Sequence, residues 1–130
     1  MIRVKVPATT TNLGPGFDCL GLALNIYNII EVEEKIEGLE ICVPEEQKDE
    51  IPQDDSNLVY VAMKKVFNRV GYPAKGLRIN LINNIPLTRG LGSSAACIVG
   101  GLTAANELTG RLLSKCEIMK MAVEMDGHPD

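Results

Sequence analysis

The sequence contains few of the residues that zinc sites require. His128 is the only histidine among 130 residues, and no C-x-x-C pair is present. A zinc site would therefore have almost no ligands to draw on. The four cysteines, each among apolar or small neighbours, are Cys19, Cys42, Cys97 and Cys116. We expect them to be buried, reduced thiols in a cytoplasmic protein.

The chain also lacks long apolar runs and an excess of positive charge. No stretch approaches the roughly 20 apolar residues that a membrane-spanning helix needs, and no signal peptide is expected. Lys and Arg number 13 against 17 Asp and Glu, a net charge of −4, so no nucleic-acid partner is expected. The composition, 45% hydrophobic and 23% charged, is typical of one globular domain.

Alternating apolar residues predict four strands. They are expected over residues 2–6, 27–34, 39–43 and 77–81. Pro7 is expected to end the first strand. After the third strand, residues 45–55 are acidic, contain Pro52 and include little that is apolar. We expect this stretch to be a solvated loop without a specific function.

Apolar residues at helical spacing and capping signals predict three helices, over residues 57–70, 93–108 and 114–126. Asp54, Asp55 or Ser56 is expected to cap the first helix. The last begins with Ser114-x-x-Glu117, which has the capping-box form. Glycines are expected to end the three helices: Gly71, Gly110 and Gly127. The expected buried residues are Val59, Met63, Val66, Phe67 and Val70 in the first helix, and Ile118, Met121, Ala122 and Met125 in the last. The order β-β-β-α-β-α-α indicates an α+β domain.

The strongest chemical feature is a glycine-rich segment between the fourth strand and the second helix. It reads Pro86-Leu87-Thr88-Arg89-Gly90-Leu91-Gly92-Ser93-Ser94-Ala95-Ala96. Glycines let the backbone approach a ligand closely, and the N–H groups and positive dipole end of a helix favour an anion. The hydroxyls of Ser93 and Ser94 suit phosphate or magnesium. The segment predicts an anion or nucleotide site, the alternative being a tight loop whose serines only cap the helix.

Two familiar nucleotide motifs fit this segment poorly. A Walker A loop needs Gly-Lys-Ser/Thr, and the segment has no lysine. Gly90-x-Gly92-x-x-Ala95 matches the dinucleotide fingerprint, but that pattern alone is weak. Glu107, at about the spacing of the ribose-binding acid, falls near a helix end instead of after a second strand. We therefore reject a Rossmann interpretation.

A second glycine-containing segment lies near the N-terminus. It reads Pro7-Ala8-Thr9-Thr10-Thr11-Asn12-Leu13-Gly14-Pro15-Gly16-Phe17-Asp18-Cys19-Leu20-Gly21. The amide of Asn12 and the carboxylate of Asp18 suit a small polar molecule. The alternative is an Asx-type turn in which Asp18 caps the following segment.

These segments together resemble the GHMP small-molecule kinases. Within that family, the opening of the homoserine kinases is similar to Asn12-Leu13-Gly14-Pro15-Gly16-Phe17-Asp18-x-Leu20-Gly21. Their third segment, typically Glu-Gly-His-Pro-Asp-Asn, resembles Glu124-Met125-Asp126-Gly127-His128-Pro129-Asp130. Asp126 stands where the family often has glutamate. The resemblance runs over all 130 residues.

The resemblance implies the GHMP-kinase N-terminal fold. This is a ribosomal-protein-like α+β domain with a left-handed β-α-β unit and a mixed sheet packed against helices. Residues 1–130 would form this ATP-binding domain. We expect the chain to be a truncated part of a longer enzyme, with the C-terminal domain absent and negligible turnover on its own.

The reaction implied by the resemblance is ATP-dependent phosphorylation of the side-chain hydroxyl of L-homoserine to O-phospho-L-homoserine, in threonine biosynthesis. Asn57 is implied to bind ATP together with the segment from Pro86 to Ala96, although Asn57 has helix capping as its alternative role. Ser94 and Glu124 are implied to hold Mg²⁺. The residues implied to hold homoserine are Asn12, Asp18 and His128, with Asp18 pairing with the ammonium group. A homodimer is compatible with the resemblance. Asp130 is not assigned as a catalytic base, because the matching position in homoserine kinases is the asparagine that follows.

Two other functions remain open. The first is a GHMP kinase of the mevalonate or sugar type, against which Asp18 argues, because a carboxylate there suits an ammonium-bearing substrate. The second is a non-catalytic binding domain of the same fold, which could contact RNA. Magnesium-dependent ATP binding that is lost when Ser94 and Glu124 are replaced would favour the kinase.

Overall fold

The computed structural model describes residues 1–10, 22–85 and 93–126. The strands are β1 (Ile2–Thr10), β2 (Leu22–Glu34), β3 (Gly38–Cys42) and β4 (Gly76–Asn83), and the helices are α1 (Leu58–Val70), α2 (Ser93–Leu108) and α3 (Lys115–Asp126). The predicted homoserine residues Asn12, Asp18 and His128 lie outside the described residues, as do Cys19, Gly127 and the segment 86–92. The seven predicted elements are confirmed in their order.

The strands form one mixed sheet in the order β1-β2-β4-β3. β1 pairs antiparallel with β2, and β2 antiparallel with β4. β3 pairs parallel with β4, so β3, α1 and β4 form the β-α-β unit. The predicted mixed sheet is confirmed, while the left hand of that unit stays a prediction.

Two strands are longer than the sequence predicts. β1 continues past Pro7 to Thr10, and β2 begins at Leu22 instead of near residue 27. The register shifts between Pro7 and Thr9, after which Thr9 pairs with Ala23 and Thr10 with Leu22. β1 is an edge strand, and an edge strand tolerates proline at an irregularity. The prediction that Pro7 ends the strand is therefore wrong.

The helices cover one face of the sheet and close a single large core. Ile30 and Val32 of β2 pair in register with Leu81 and Ile79 of β4, and all four side chains are buried. Buried residues from all three helices belong to the same core: Val59, Ala62, Met63, Val66 and Phe67 from α1, Ile98, Leu102, Ala104 and Ala105 from α2, and Ile118, Met121 and Ala122 from α3. The predicted faces of α1 and α3 are thus confirmed, with Val70 and Met125 partly buried at the margin.

Helix ends follow local capping chemistry. The N-cap of α1 is Asn57, whose Oδ1 accepts the N–H groups of Val59 and Tyr60 at 2.9 and 3.3 Å. The prediction of Asp54, Asp55 or Ser56 as the cap is wrong, because Asp54 instead accepts from the N–H and hydroxyl of Ser56. The predicted stop at Gly71 is confirmed by its left-handed backbone, with φ at +71°.

The capping box of α3 is also confirmed. Glu117 N–H donates to Ser114 Oγ at 3.2 Å, and Ser114 N–H donates to Glu117 Oε1 at 3.0 Å. These two bonds satisfy backbone groups that the first helical turn leaves unpaired. The local sequence therefore fixes the start of α3 independently of its packing.

Three cysteine positions correct the expectation of buried thiols. Cys42 and Cys116 are exposed, and Cys97 is partly buried. Cys42 lies in the edge strand β3, which lacks a neighbour on its outer side within the described sheet. Apolar neighbours in sequence therefore did not predict burial. No helix in the described residues is long and apolar enough to cross a membrane.

Candidate functional site

A cleft of about 230 Å³ lies at one end of the sheet, where strands β2 and β4 meet the beginnings of α1 and α2. Its apolar lining includes Ile30, Val59 and Leu81. We call it the asparagine cleft, because Asn28, Asn57 and Asn83 also line it.

The three asparagines are the buried polar residues of the described chain, with 4%, 2% and 8% of their surfaces exposed. A buried polar group is costly unless it is hydrogen-bonded, so three of them around one cleft mark a specialised place in the core. Of the three, the sequence pointed to Asn57 alone. The sequence does contain a signal for Asn28 and Asn83. Both occupy inward-facing strand positions, where the alternating pattern places apolar residues.

Asn57 joins two walls of the cleft. Its Oδ1 caps α1, and its Nδ2 donates to the carbonyl oxygen of Pro52 at 2.7 Å. The capping role predicted as an alternative is therefore present. Because the same side chain also lines the cleft, capping and a ligand contact are compatible.

Residues 45–55, the acidic segment, form another wall. Glu50, Ile51 and Pro52 line the cleft. Gln47, in a short 3-10 helix (Glu45–Gln47), donates from Nε2 to the carbonyl oxygen of Asn83 at 3.0 Å. The segment is mostly exposed, as predicted, and this bond and the Asn57–Pro52 bond fasten it to β4 and α1.

The beginning of α2 supplies Ser94 and Cys97 to the cleft. Ser94 is exposed in the first turn of the helix, where backbone N–H groups and the positive end of the helix dipole favour an anion. Burial raises the pKa of the Cys97 thiol, so Cys97 is neutral near pH 7 and acts as a small apolar wall. The sequence predicts Ser94 at this place but not Cys97.

Glu124 lies on α3, exposed, beside a separate depression of about 390 Å³. The depression also includes Val61, Lys65 and Leu58, and Leu58 is shared with the asparagine cleft. The structure thus places Ser94 and Glu124 in different depressions that meet at the start of α1. No cluster of three His, Cys, Asp or Glu side chains suited to a metal occurs within residues 1–10, 22–85 and 93–126.

The donor chemistry of this pair nevertheless fits magnesium. A hydroxyl and a carboxylate are hard oxygen ligands, and Mg²⁺ is commonly held by one or two carboxylates together with substrate phosphates and water. A complete protein cage is not needed for such a site. The metal assignment of Ser94 and Glu124 stays a prediction.

Comparison with known proteins identifies the family to which this fold belongs. Residues 57–130 match the model of the GHMP kinases N terminal domain, which is more than half of the chain. The chain therefore belongs to the GHMP kinase family, and the predicted family is confirmed.

Individual relatives indicate which branch of the family the chain resembles. It is 65% identical over its full length to a homoserine kinase of Petrotoga mobilis and spans 42% of that protein. The structure of homoserine kinase from Cytophaga hutchinsonii superimposes with a TM-score of 0.75 at 31% identity, covering 95% of this chain and 40% of that one. The mevalonate kinase of Methanococcus jannaschii reaches a TM-score of 0.76 at 21% identity, covering 97% and 47%, which shows a shared fold alone.

Proposed function

We propose that the protein containing this chain transfers the γ-phosphoryl group of ATP to the side-chain hydroxyl of L-homoserine, giving ADP and O-phospho-L-homoserine. The asparagine cleft carries the proposal, because it joins an apolar chamber to the first turn of α2. The 65% identity to a homoserine kinase supports this choice of substrate. A role in threonine biosynthesis and a cytoplasmic location belong to the same proposal.

The apolar part of the cleft suits the adenine ring. Its volume of about 230 Å³ is below the roughly 300–1,000 Å³ of sites that enclose a whole drug-sized ligand. The cleft is therefore of a size for the base, with the ribose and phosphates outside it. Asn57, fixed by its own hydrogen bonds, would present its amide to the ring edge.

The triphosphate would lie against the beginning of α2. N–H groups at the start of that helix, with the glycine-rich segment 86–92 before it, would donate hydrogen bonds to the phosphate oxygens. Ser94 and Glu124 would hold Mg²⁺, which neutralises negative charge on the phosphates. Asn12, Asp18 and His128 would hold homoserine, with Asp18 binding its ammonium group.

The experiment that tests the proposal is ADP release by the full-length protein with Mg-ATP, with and without L-homoserine. A homoserine-dependent rate is expected, with little release in the presence of mevalonate or galactose. Turnover with one of those alcohols but not with homoserine would keep the kinase assignment and refute the substrate.

Variants then test the metal ligands. Ser94→Ala and Glu124→Gln are each expected to lower kcat/KM by on the order of 100-fold, because charge on the transferring phosphoryl group loses stabilisation. Glu37→Gln is the matched control, since Glu37 is exposed and lies in the turn between β2 and β3. Unchanged kcat/KM in Ser94→Ala and Glu124→Gln would remove both residues from the site.

A further inference from the structure

Asn28 occupies an inward-facing position of β2, on the same side as Ile30 and Val32. An apolar side chain at this position would simply extend the core. A buried asparagine instead needs partners for its amide. The partners it has are therefore informative about its role.

The side-chain oxygen of Asn28 receives two backbone N–H groups from the chain that follows β4. Asn84 N–H donates to Oδ1 at 2.8 Å, and Ile85 N–H donates to it at 3.0 Å. Asn28 is also the register partner of Asn83, the last residue of β4. The oxygen thus continues the ladder for two residues beyond the end of the strand.

Other bonds fix the same short stretch. Asn84 Nδ2 donates to the carbonyl oxygen of Tyr27 at 2.9 Å. Asn83 Nδ2 donates to the carbonyl oxygen of Ile85 at 3.4 Å. The direction in which the chain leaves β4 is therefore set by side chains from both strands.

Ile85 transmits this position to α2. It is 1% exposed and forms a small buried cluster with Val6 and Ala96. Ala96 lies in the first turn of α2, two residues after Ser94. A shift of Ile85 would therefore move the start of α2 relative to the cleft, because packed side chains transmit displacements.

We propose that Asn28 is a positioning residue for phosphoryl transfer: by holding Asn84 and Ile85, it sets where the phosphate-binding start of α2 lies relative to the asparagine cleft. The inference rests on the proposed function. Asn28 would act through the backbone of Asn84 and Ile85 and through the Ile85 side chain, at a distance from the reacting atoms.

The test measures steady-state kinetics of the full-length protein with Asn28→Ala and Asn28→Asp. Asn28→Ala removes the acceptor of both N–H groups, and we expect the KM for ATP to rise about tenfold, which corresponds to a loss of about 1.4 kcal/mol of binding free energy at the displaced helix start. The KM for homoserine should stay within about threefold. Asn28→Asp keeps an oxygen for both N–H groups, so most of the affinity for ATP should return.

Asn80→Ala is the matched control. Asn80 is also a sheet asparagine that bonds across strands, donating from Nδ2 to Glu31 Oε1 at 2.9 Å, but it does not line the cleft. It should leave the KM for ATP unchanged. A purely structural loss in Asn28→Ala would lower the active fraction, and hence the apparent kcat, without changing the KM.

Hydrogen exchange supplies a second readout that does not depend on turnover. In Asn28→Ala the amides of Asn84 and Ile85 should exchange at least about tenfold faster, while amides in the middle of α1 keep their protection. Asn28→Asp should retain the protection at residues 84 and 85.

The outcomes separate the inference from the proposed function. An active parent protein whose Asn28→Ala variant keeps the KM for ATP, or whose Asn28→Asp variant is no better than Asn28→Ala, overturns the inference alone. A parent protein without homoserine-dependent ADP release and without Mg-ATP binding overturns both.

Discussion

Asn57 makes three hydrogen bonds with one buried side chain. Its oxygen caps α1 through Val59 and Tyr60, and its nitrogen binds the carbonyl oxygen of Pro52. Asn57 is only 2% exposed, so removal of its side chain would leave these groups buried and without partners. Helix stability and the shape of the cleft wall therefore depend on the same amide.

Asn57→Ala is expected to lower the free energy of unfolding by about 1–3 kcal/mol, because it removes an N-cap and leaves buried groups unpaired. Asn57→Ser keeps a capping oxygen and loses the donor to Pro52, so its loss should be smaller. Urea denaturation of both variants measures the difference. Asn68→Ala, an exposed asparagine on the same helix, is the control. Equal losses in Asn57→Ala and Asn57→Ser would assign the stability to the Pro52 bond alone.

The sequence predicted some residues of the asparagine cleft and missed others for a physical reason. Asn57 and Ser94 lie next to recognisable helix starts, where local chemistry limits what a residue can do. Asn28 lies in the middle of β2 and Asn83 at the end of β4, and their partners depend on which strands become neighbours. The local sequence does not show which strands will pair.

The capping box at the start of α3 makes the stability of this element depend on pH. Hydrogen bonds from the backbone N–H and the side chain of Ser114 lower the pKa of Glu117 below its ordinary value of 4.5. A lowered folded-state pKa means that the carboxylate stabilises the fold above pH 4.5. That contribution is lost as the pH falls through the lower folded-state pKa.

The stability difference between the parent protein and Glu117→Gln should therefore be constant near neutral pH and shrink as the pH falls below 4.5. Urea denaturation at a series of pH values measures it. Glu37→Gln, which changes the net charge equally, corrects for general charge effects. A difference that grows towards acid pH would contradict the capping-box explanation.

The close approach of α1 and α2 depends on a glycine. A Cβ at Gly101 would lie 2.5 Å from the carbonyl oxygen of Val59 and 2.9 Å from Ala62 Cβ. The first of these is backbone, which cannot rotate away. At the neighbouring Gly100, an added Cβ would chiefly meet the end of the Ile30 side chain. That side chain can rotate away.

Gly101→Ala should therefore destabilise the protein by about 1–3 kcal/mol more than Gly100→Ala, since overpacking against backbone forces the helices apart. Both changes gain the same helix propensity, so their difference reports packing. Thermal or urea unfolding of the two variants measures it. Equal stability of the two would show that the helices separate without cost.

Element order and most boundaries followed from sequence because periodicity and caps act locally. The predicted span of α2, residues 93–108, agrees with Ser93–Leu108. The early start of β2 did not follow, because Leu22–Ile26 contains little that is β-branched. Those residues become a strand through pairing with β1 beyond Pro7, which is a tertiary effect.

The asparagine cleft is a property of the whole molecule. Its walls come from β2, the acidic segment, the start of α1, the end of β4 and the start of α2. The glycine-rich segment and the helix starts are each recognisable in the sequence. The chamber between them arises only when the sheet order β1-β2-β4-β3 brings these parts together.

Mg-ATP should protect Cys97 from iodoacetamide in the full-length protein, while Cys42 and Cys116 stay reactive, because only Cys97 of these three lines the cleft. Burial raises the pKa of Cys97, so labelling is followed above neutral pH, where more thiolate is present. At an ATP concentration about ten times Kd, Cys97 labelling should slow roughly tenfold. Mass spectrometry of peptides measures all three rates in one sample, with Cys42 and Cys116 as internal controls. Equal labelling of Cys97 with and without Mg-ATP would exclude the asparagine cleft as the nucleotide site.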